Sequence, residues 1–278
     1  ILSDIYFYLT EGCNLACRHC WLAPKHHTGE HTFPVMDFSI IQSVIEQAKP
    51  MGLSGVKLTG GEPLLHPFID EILDLVRNED LGLSIETNGV LCTRKLAEKI
   101  FEYRGSVSVS LDGSDAKTHE WIRGVKGSFQ GALEGIQNLV RTGLKPQIIM
   151  TVMRRNRDQL KEVVRLSEFL GAGSVKFNIL QPVARGEQMH RDGGALKIEE
   201  LVELGQWVET ELSETTDLSL DFCHPPAFSP LGKMFQGEGN NCETCGILGI
   251  IGVLPNGAYA LCGIGETIPS IKSARSFL

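Results

Sequence analysis

Val56-Lys57-Leu58-Thr59-Gly60-Gly61-Glu62-Pro63, a helical apolar stripe over residues 68–77, then Leu83-Ser84-Ile85-Glu86-Thr87-Asn88-Gly89: on this stretch the fold turns. A short apolar run closed by a glycine turn has the look of a strand. Residues 68–77 repeat apolar side chains at i, i+3 and i+4, the stripe of an amphipathic helix. A second short apolar run follows at once. Strand, helix and strand in this order form a βα unit, and repeated units build a parallel sheet.

The alternation extends in both directions. Strands are expected at residues 5–10, 56–59, 83–86, 107–111, 148–152 and 175–178, and helices at 38–49, 68–77, 94–103, 129–142 and 158–170. Six such units curl a sheet but fall short of the eight that close a TIM barrel, so the expected fold class is α/β, an open partial (β/α)6 barrel. After a helix over residues 198–212 glycines and prolines become frequent and the β pieces short. This divides the chain into a barrel domain, 1–215, and a small C-terminal region, 216–278, holding a hairpin of residues 249–254 and 258–261 about Pro255-Asn256-Gly257.

In βα sheets the chemistry lies in loops after the carboxyl ends of strands. Cys13 to Cys20 follow the first strand, Gly60-Gly61-Glu62-Pro63 the second, Thr87-Asn88-Gly89 the third, Asp112-Gly113 the fourth and Gln181-Pro182 the sixth.

Composition narrows the function. Of 278 residues 42% are hydrophobic, and no run approaches the roughly 18 apolar residues of a membrane span, so no membrane partner is expected. A net charge of -8 with acids spread along the chain argues against nucleic acid. Residues 1–10 lack a basic n-region and a cleavage site, so the expected location is cytoplasmic. Eight cysteines without an export signal point to metal or redox chemistry rather than disulfides. The chain begins at Ile1 rather than Met and stops at Leu278 in mid-pattern, so further residues are expected at either end.

Cys13-Asn14-Leu15-Ala16-Cys17-Arg18-His19-Cys20 sets three thiols in eight residues with no fourth cysteine close by. Thiolates suit iron–sulfur clusters and zinc alike, but a structural zinc site is normally closed by four ligands. A cubane on three cysteines keeps one iron open.

The loop resembles the motif of the radical S-adenosylmethionine (SAM) superfamily, with His19 in the aromatic position before the last cysteine. The resemblance implies a 4Fe–4S cluster on Cys13, Cys17 and Cys20 whose open iron binds SAM. One electron from the cluster then cleaves SAM to a 5′-deoxyadenosyl radical. Gly60, Gly61 and Glu62 are similar to the family's GGE motif, which receives the SAM amino group and needs glycine where backbone approaches ligand. The plain alternative is a strand-to-helix turn. Ser110 and Asp112, in Ser110-Leu111-Asp112-Gly113, resemble the segment that contacts the SAM ribose and methionine moieties. Arg123 takes the place of an arginine that pairs with the SAM carboxylate; on spacing alone it reads as a surface cation. Asn88 and Leu180 are further candidates for SAM or substrate contact, Leu180 alternatively being core.

Cys242, Cys245, Gly257 and Cys262 resemble the opening of a SPASM/twitch extension, which implies one or more auxiliary iron–sulfur clusters. The alternative is a zinc knuckle on these cysteines with Cys223 or a histidine. Cys92, alone, reads as a buried small hydrophobe. His26, His27 and His31 lie in a polar loop without ligand spacing. Arg154-Arg155-Asn156-Arg157 reads as a solvated helix start or a docking patch for an acidic leader peptide.

Core and extension together resemble peptide maturases. The resemblance implies a precursor-peptide substrate, thioether or other cross-link formation, and a reductant such as flavodoxin or ferredoxin. Alternatives are oxidation of a small molecule such as a tetrapyrrole or sugar, and a non-catalytic zinc-binding module.

Overall fold

The computed structural model describes residues 2–26, 33–223 and 249–261. Each expected apolar run becomes a strand and each helical stripe a helix. The strands are Asp4–Tyr8 (β1), Gly12–Cys13 (β2), Lys25–His26 (β3), Gly55–Thr59 (β4), Gly82–Thr87 (β5), Ser106–Ser110 (β6), Gln147–Val152 (β7), Ser174–Ile179 (β8), Ser219–Phe222 (β9), Ile250–Val253 (β10) and Tyr259–Ala260 (β11). The helices are Phe38–Ala48 (α1), Ile69–Asn78 (α2), Arg94–Glu102 (α3), Ala116–Arg123 (α4), Ser128–Arg141 (α5), Leu160–Leu170 (α6), Arg185–Arg191 (α7) and Ile198–Trp207 (α8). The pattern of residues 198–212 continues past α8 into a wider turn, Val208–Leu212.

The sheet has nine strands in the order β11-β10-β1-β4-β5-β6-β7-β8-β9, all neighbours parallel except β10 and β11. Register keeps buried residues level: Phe7 pairs with Leu58, Leu58 with Ile85, and Ile85 with Val107. These side chains pack with Ile41, Ile45, Ile72, Leu73, Ile100 and Ile136 of the helices in one continuous core. Each such side chain contributes about 1.5–3 kcal/mol by leaving water.

A parallel sheet covered on both faces reads as unbroken hydrophobic runs. These strands alternate instead. The face turned from the core carries the half-buried Lys57, Ser84, Glu86, Ser108, Ser110 and Asn178, and Lys57 pairs with Glu86 at 2.9 Å. One face is thus committed to helices while the other offers polar groups.

Two readings from sequence change. The sheet continues across residue 215: β9 pairs with β8, β10 pairs with β1, and so strands from both sides of the expected division share one sheet. The hairpin at residues 249–261 forms as expected but is docked on β1. Two helices, α4 and α7, were not foreseen because each is short. α4 is capped by Asp115, which accepts from Thr118 N at 2.8 Å, and by Gly124 at φ +74.

Close backbone approach fixes where the loops lie. A Cβ on Gly135 of α5 would sit 2.1 Å from the Gly89 carbonyl in the turn after β5, whereas one on Gly131 would meet only Val90 methyls, at 3.1 Å. In an open helix Gly→Ala stabilises by about 1 kcal/mol. Gly135→Ala is therefore expected to destabilise the chain by about 1–3 kcal/mol, and Gly131→Ala to be near neutral. Urea denaturation of the two variants checks this.

Candidate functional site

The cysteine loop leaves β1 and is laced into its neighbours by backbone hydrogen bonds. Ala16 N donates to Arg123 O at 3.1 Å and Arg18 N to Ile122 O at 2.9 Å, tying the loop to the end of α4. Gly61 N donates to Thr10 O at 2.8 Å and Glu62 N to Gly12 O at 2.9 Å, tying it to the turn after β4. Cys13 and Cys17 are buried and Cys20 half-buried, packed with Leu15, Val90 and Val125. Burial pushes the Cys13 thiol up to about 12 and raises that of Cys17.

Such thiols ionise only with compensating charge, which a bound metal supplies. Among the described residues no three His, Cys, Asp or Glu side chains form a set for a single metal ion. The chemistry of the donors fits a cluster, whose cysteines each meet a different iron.

The glycines beside the loop answer to protein rather than ligand. A Cβ on Gly61 would lie 2.0 Å from the Gly12 carbonyl, and Gly60 sits at φ +131 against the backbone of Leu9 and Thr10. Glu62, 1% exposed, accepts from Thr87 Oγ1 at 2.6 Å, Leu64 N at 3.2 Å and Asn88 N at 2.9 Å. Burial pushes its carboxyl up to about 7 despite these donors. Asn88 Nδ2 donates to Asn14 Oδ1 at 2.7 Å and lies 3.9 Å from Cys13 Sγ. The ends of β1, β4 and β5 are thereby joined around Cys13.

Around Cys17 a second network forms. Asp112, wholly buried, has Oδ2 2.7 Å from Arg123 Nε and 3.6 Å from His19 Nε2, while Oδ1 accepts from Thr151 N at 2.8 Å. Arg123 Nη1 donates to Cys17 Sγ at 3.7 Å. Burial pushes the Asp112 carboxyl up, but the Arg123 guanidinium beside it pulls it further down, to a net position below the usual value. Burial lowers His19 to about 4 and His119 to about 3, leaving both rings neutral. His119 Nδ1 accepts from Asp112 N at 3.2 Å. Among the described residues, the buried side-chain polar atoms lacking a hydrogen-bond partner are His19 Nδ1, His119 Nε2, Asp112 Oδ2 and Arg123 Nε. All four belong to this network; the Asp112–Arg123 contact is an ion pair whose N–H points off line. The two ring nitrogens, His19 Nδ1 and His119 Nε2, are then the buried polar atoms left without a partner, a mark of a site for a polar group.

The expected residues therefore divide. Cys13, Cys17, Cys20, His19, Glu62 and Asn88 come together, with Gly60 and Gly61 supporting them. Ser110 stands half-buried at the end of β6 on the polar face. Asp112, expected to meet SAM, pairs with Arg123 and accepts from Thr151 N. Arg123 is 7% exposed rather than a surface cation. Leu180 packs with Ile122, Met153 and Met189 as core, and Cys92 is core too, 3% exposed. His26 is exposed in β3. Cys242, Cys245, Cys262, His27 and His31 lie outside the described residues.

Sequence reading missed Arg185. Its Nη1 donates to Cys17 O at 3.3 Å, its Nη2 to Pro24 O, and its backbone N to Cys20 O at 3.2 Å. A residue at the start of α7 thus holds the C-terminal half of the cysteine loop, at Cys17, Cys20 and Pro24. Its only signal was its place three residues beyond Pro182.

Removing one partner of a buried ion pair costs about 3–5 kcal/mol, because the other charge is stranded. Asp112→Asn is expected to lose that much in chemical denaturation, and Asp112→Asn/Arg123→Gln to lose less than the two single changes added together.

A mostly parallel α/β sheet that presents three thiols, two of them buried, with a buried carboxylate and a guanidinium at the ends of adjacent strands defines a cofactor-using enzyme core. The chain belongs to the radical SAM superfamily, enzymes of radical chemistry, whose model matches residues 7–167. It is 29% identical over 240 residues, 84% of this chain and 60% of the relative, to an AdoMet-dependent heme synthase of Oleidesulfovibrio alaskensis. It is 33% identical over 188 residues, 66% of this chain and 46% of the relative, to the mycofactocin maturase MftC of Mycobacterium tuberculosis. The crystal structure of Streptococcus suis SuiB bound to S-adenosylmethionine shares the fold, with a TM-score of 0.75 at 18% identity over 97% of this chain and 62% of that one. The chain spans about half the length of the curated relatives it matches. Membership implies a 4Fe–4S cluster and SAM, which the donor set fits.

Proposed function

We propose that this chain is the core of a radical SAM enzyme that modifies a ribosomally made precursor peptide, forming a thioether or other cross-link. The observation that carries the reading is the loop of three thiols, two of them buried, beside the Asp112–Arg123 network. Similarity to a mycofactocin maturase and a fold shared with the crystal structure of SuiB bound to the precursor peptide SuiA support a peptide substrate. When bound, the cluster and SAM supply a carbon radical that takes hydrogen from an unactivated carbon.

The chain's own residues then have distinct tasks. Cys13, Cys17 and Cys20 hold the cluster, with Arg123 donating to the Cys17 sulfur and Asn88 beside that of Cys13. Glu62 receives the SAM amino group. Arg123, positioned by Asp112, and Ser110 take its carboxylate end, and His19 borders the same space. The polar sheet face, curved as a partial barrel, receives the substrate. Cys242, Cys245 and Cys262 bind an auxiliary cluster in a SPASM-like extension. A flavodoxin or ferredoxin supplies electrons in the cytoplasm.

A second reading is oxidation of a tetrapyrrole, favoured by the match to a heme synthase along 84% of this chain. Anaerobic reconstitution tests the common core: the protein should bind at least about four irons on three cysteines and release 5′-deoxyadenosine from SAM with dithionite. Cys17→Ala should lose 5′-deoxyadenosine formation and about four of the bound irons. Colourless, iron-free protein with bound zinc overturns the proposal. Product formation from a precursor peptide, and none from a porphyrin precursor, separates the two substrates.

Glu62 makes SAM binding pH-dependent. A cationic amino group needs the ionised carboxylate, and the ionised fraction falls about tenfold per pH unit below a value of about 7. The dissociation constant of SAM is expected to rise as pH drops from 7.5 to 6, and Glu62→Gln to bind weakly with a flatter profile. Equilibrium binding to reconstituted protein measures it.

A further inference from the structure

Outside the site, one cationic feature stands beside the cysteine loop. Arg18, exposed between Cys17 and Cys20, places its guanidinium carbon 4.8 Å from the centroid of the Trp121 ring and donates from Nε to Trp121 O at 2.9 Å. Arg155, also exposed, lies 4.7 Å from the same centroid. Two like charges on one indole repel each other, and the aromatic face offsets part of that cost. Their neighbours are neutralised: Arg154 and Arg157 pair with Glu200 at 2.8 and 2.6 Å. Among the described residues neither Arg18 nor Arg155 has an acidic partner. In a chain of net charge -8 this is a local exception.

Its position limits what binds there. On α4 the side chains of His119, Ile122 and Arg123 are buried against the site, while Trp121, 38% exposed, looks outward. The pair therefore sits on the solvent side of the loop whose inner side carries the thiols. A substrate must reach the inner side. A protein that only delivers electrons needs nothing more than a short path to the cysteines, since electron transfer weakens steeply with distance, and Arg18 adjoins two of them.

We propose that Arg18, Trp121 and Arg155 form the docking surface for an acidic one-electron flavoprotein that reduces the cluster. The proposal rests on the cluster reading above. The donor's flavin hydroquinone loses one electron and becomes the semiquinone; the cluster gains it, passing from its 2+ to its 1+ state, and no bond is made. Complementary charge speeds such encounters by about tenfold or more at low salt and loses this effect as salt rises.

The test uses anaerobically reconstituted protein and reduced flavodoxin as the probe, following cluster absorbance by stopped flow without substrate. Arg155→Glu, and separately Arg18→Gln/Arg155→Gln, should slow reduction by flavodoxin about tenfold at low ionic strength and flatten its salt dependence. Arg155→Lys should keep most of the rate. Reduction by dithionite, iron content and the EPR signal of the reduced cluster should stay unchanged. Flavodoxin rates equal to the parent's, or falling in step with dithionite rates, overturn the docking proposal while leaving the cluster intact. A parent chain that takes up no iron overturns the cluster reading itself and the docking with it.

Discussion

The 2.7 Å contact between Asp112 and Arg123 is the constraint on which the site depends. Both groups are buried and charged, and neither is tolerable there alone. Asp112 is anchored to β7 through the Thr151 amide and stands directly after β6. Arg123 ends α4. Their attraction therefore sets α4 against the sheet, and the last carbonyls of α4 in turn hold the backbone of the cysteine loop. The same guanidinium reaches the Cys17 sulfur. One pairing thus serves helix position, loop position and the electrostatics of the Cys17 thiol.

The thiols show why such support is needed. Burial holds Cys13 and Cys17 in their neutral forms, and the thiols pack with Leu15, Val90 and Val125 in a small apolar cluster. Metal exchanges protons for charge in that apolar setting. The stabilisation that follows is shared between binding and folding. Arg123 on one side and Asn88 on the other are the donors that make ionised sulfur acceptable. Glu62 has the reverse character: three donors face it, yet burial still raises it to about 7, a carboxylate suited to a cation.

The division of the sheet into an apolar and a polar face complements this local arrangement. Helices bury the apolar side in one core, which makes the strand ends rigid. The polar side stays half-buried, so the groups that project from the strand ends meet solvent and ligands rather than a second layer of helices. Rigid strands with loops at their carboxyl ends are where precise placement and chemical variety coexist.

Much was legible in the sequence because it is written locally. The alternation of β-branched runs with helical stripes follows from side-chain periodicity, the three-thiol loop from spacing, and the hairpin at residues 249–261 from its turn residues. Cys92 as a buried small hydrophobe was readable from the residue alone. Tertiary structure alone decided that β9 and β10 join the edges of the main sheet, since parallel pairing between β1 and β10 spans nearly the whole chain and leaves no local trace. It alone decided that Asp112 faces Arg123, that Leu180 is core, and that Arg185 holds the cysteine loop from 168 residues away. Periodicity reports which face of an element is apolar. Which distant charge or carbonyl meets that face is settled only when the elements pack.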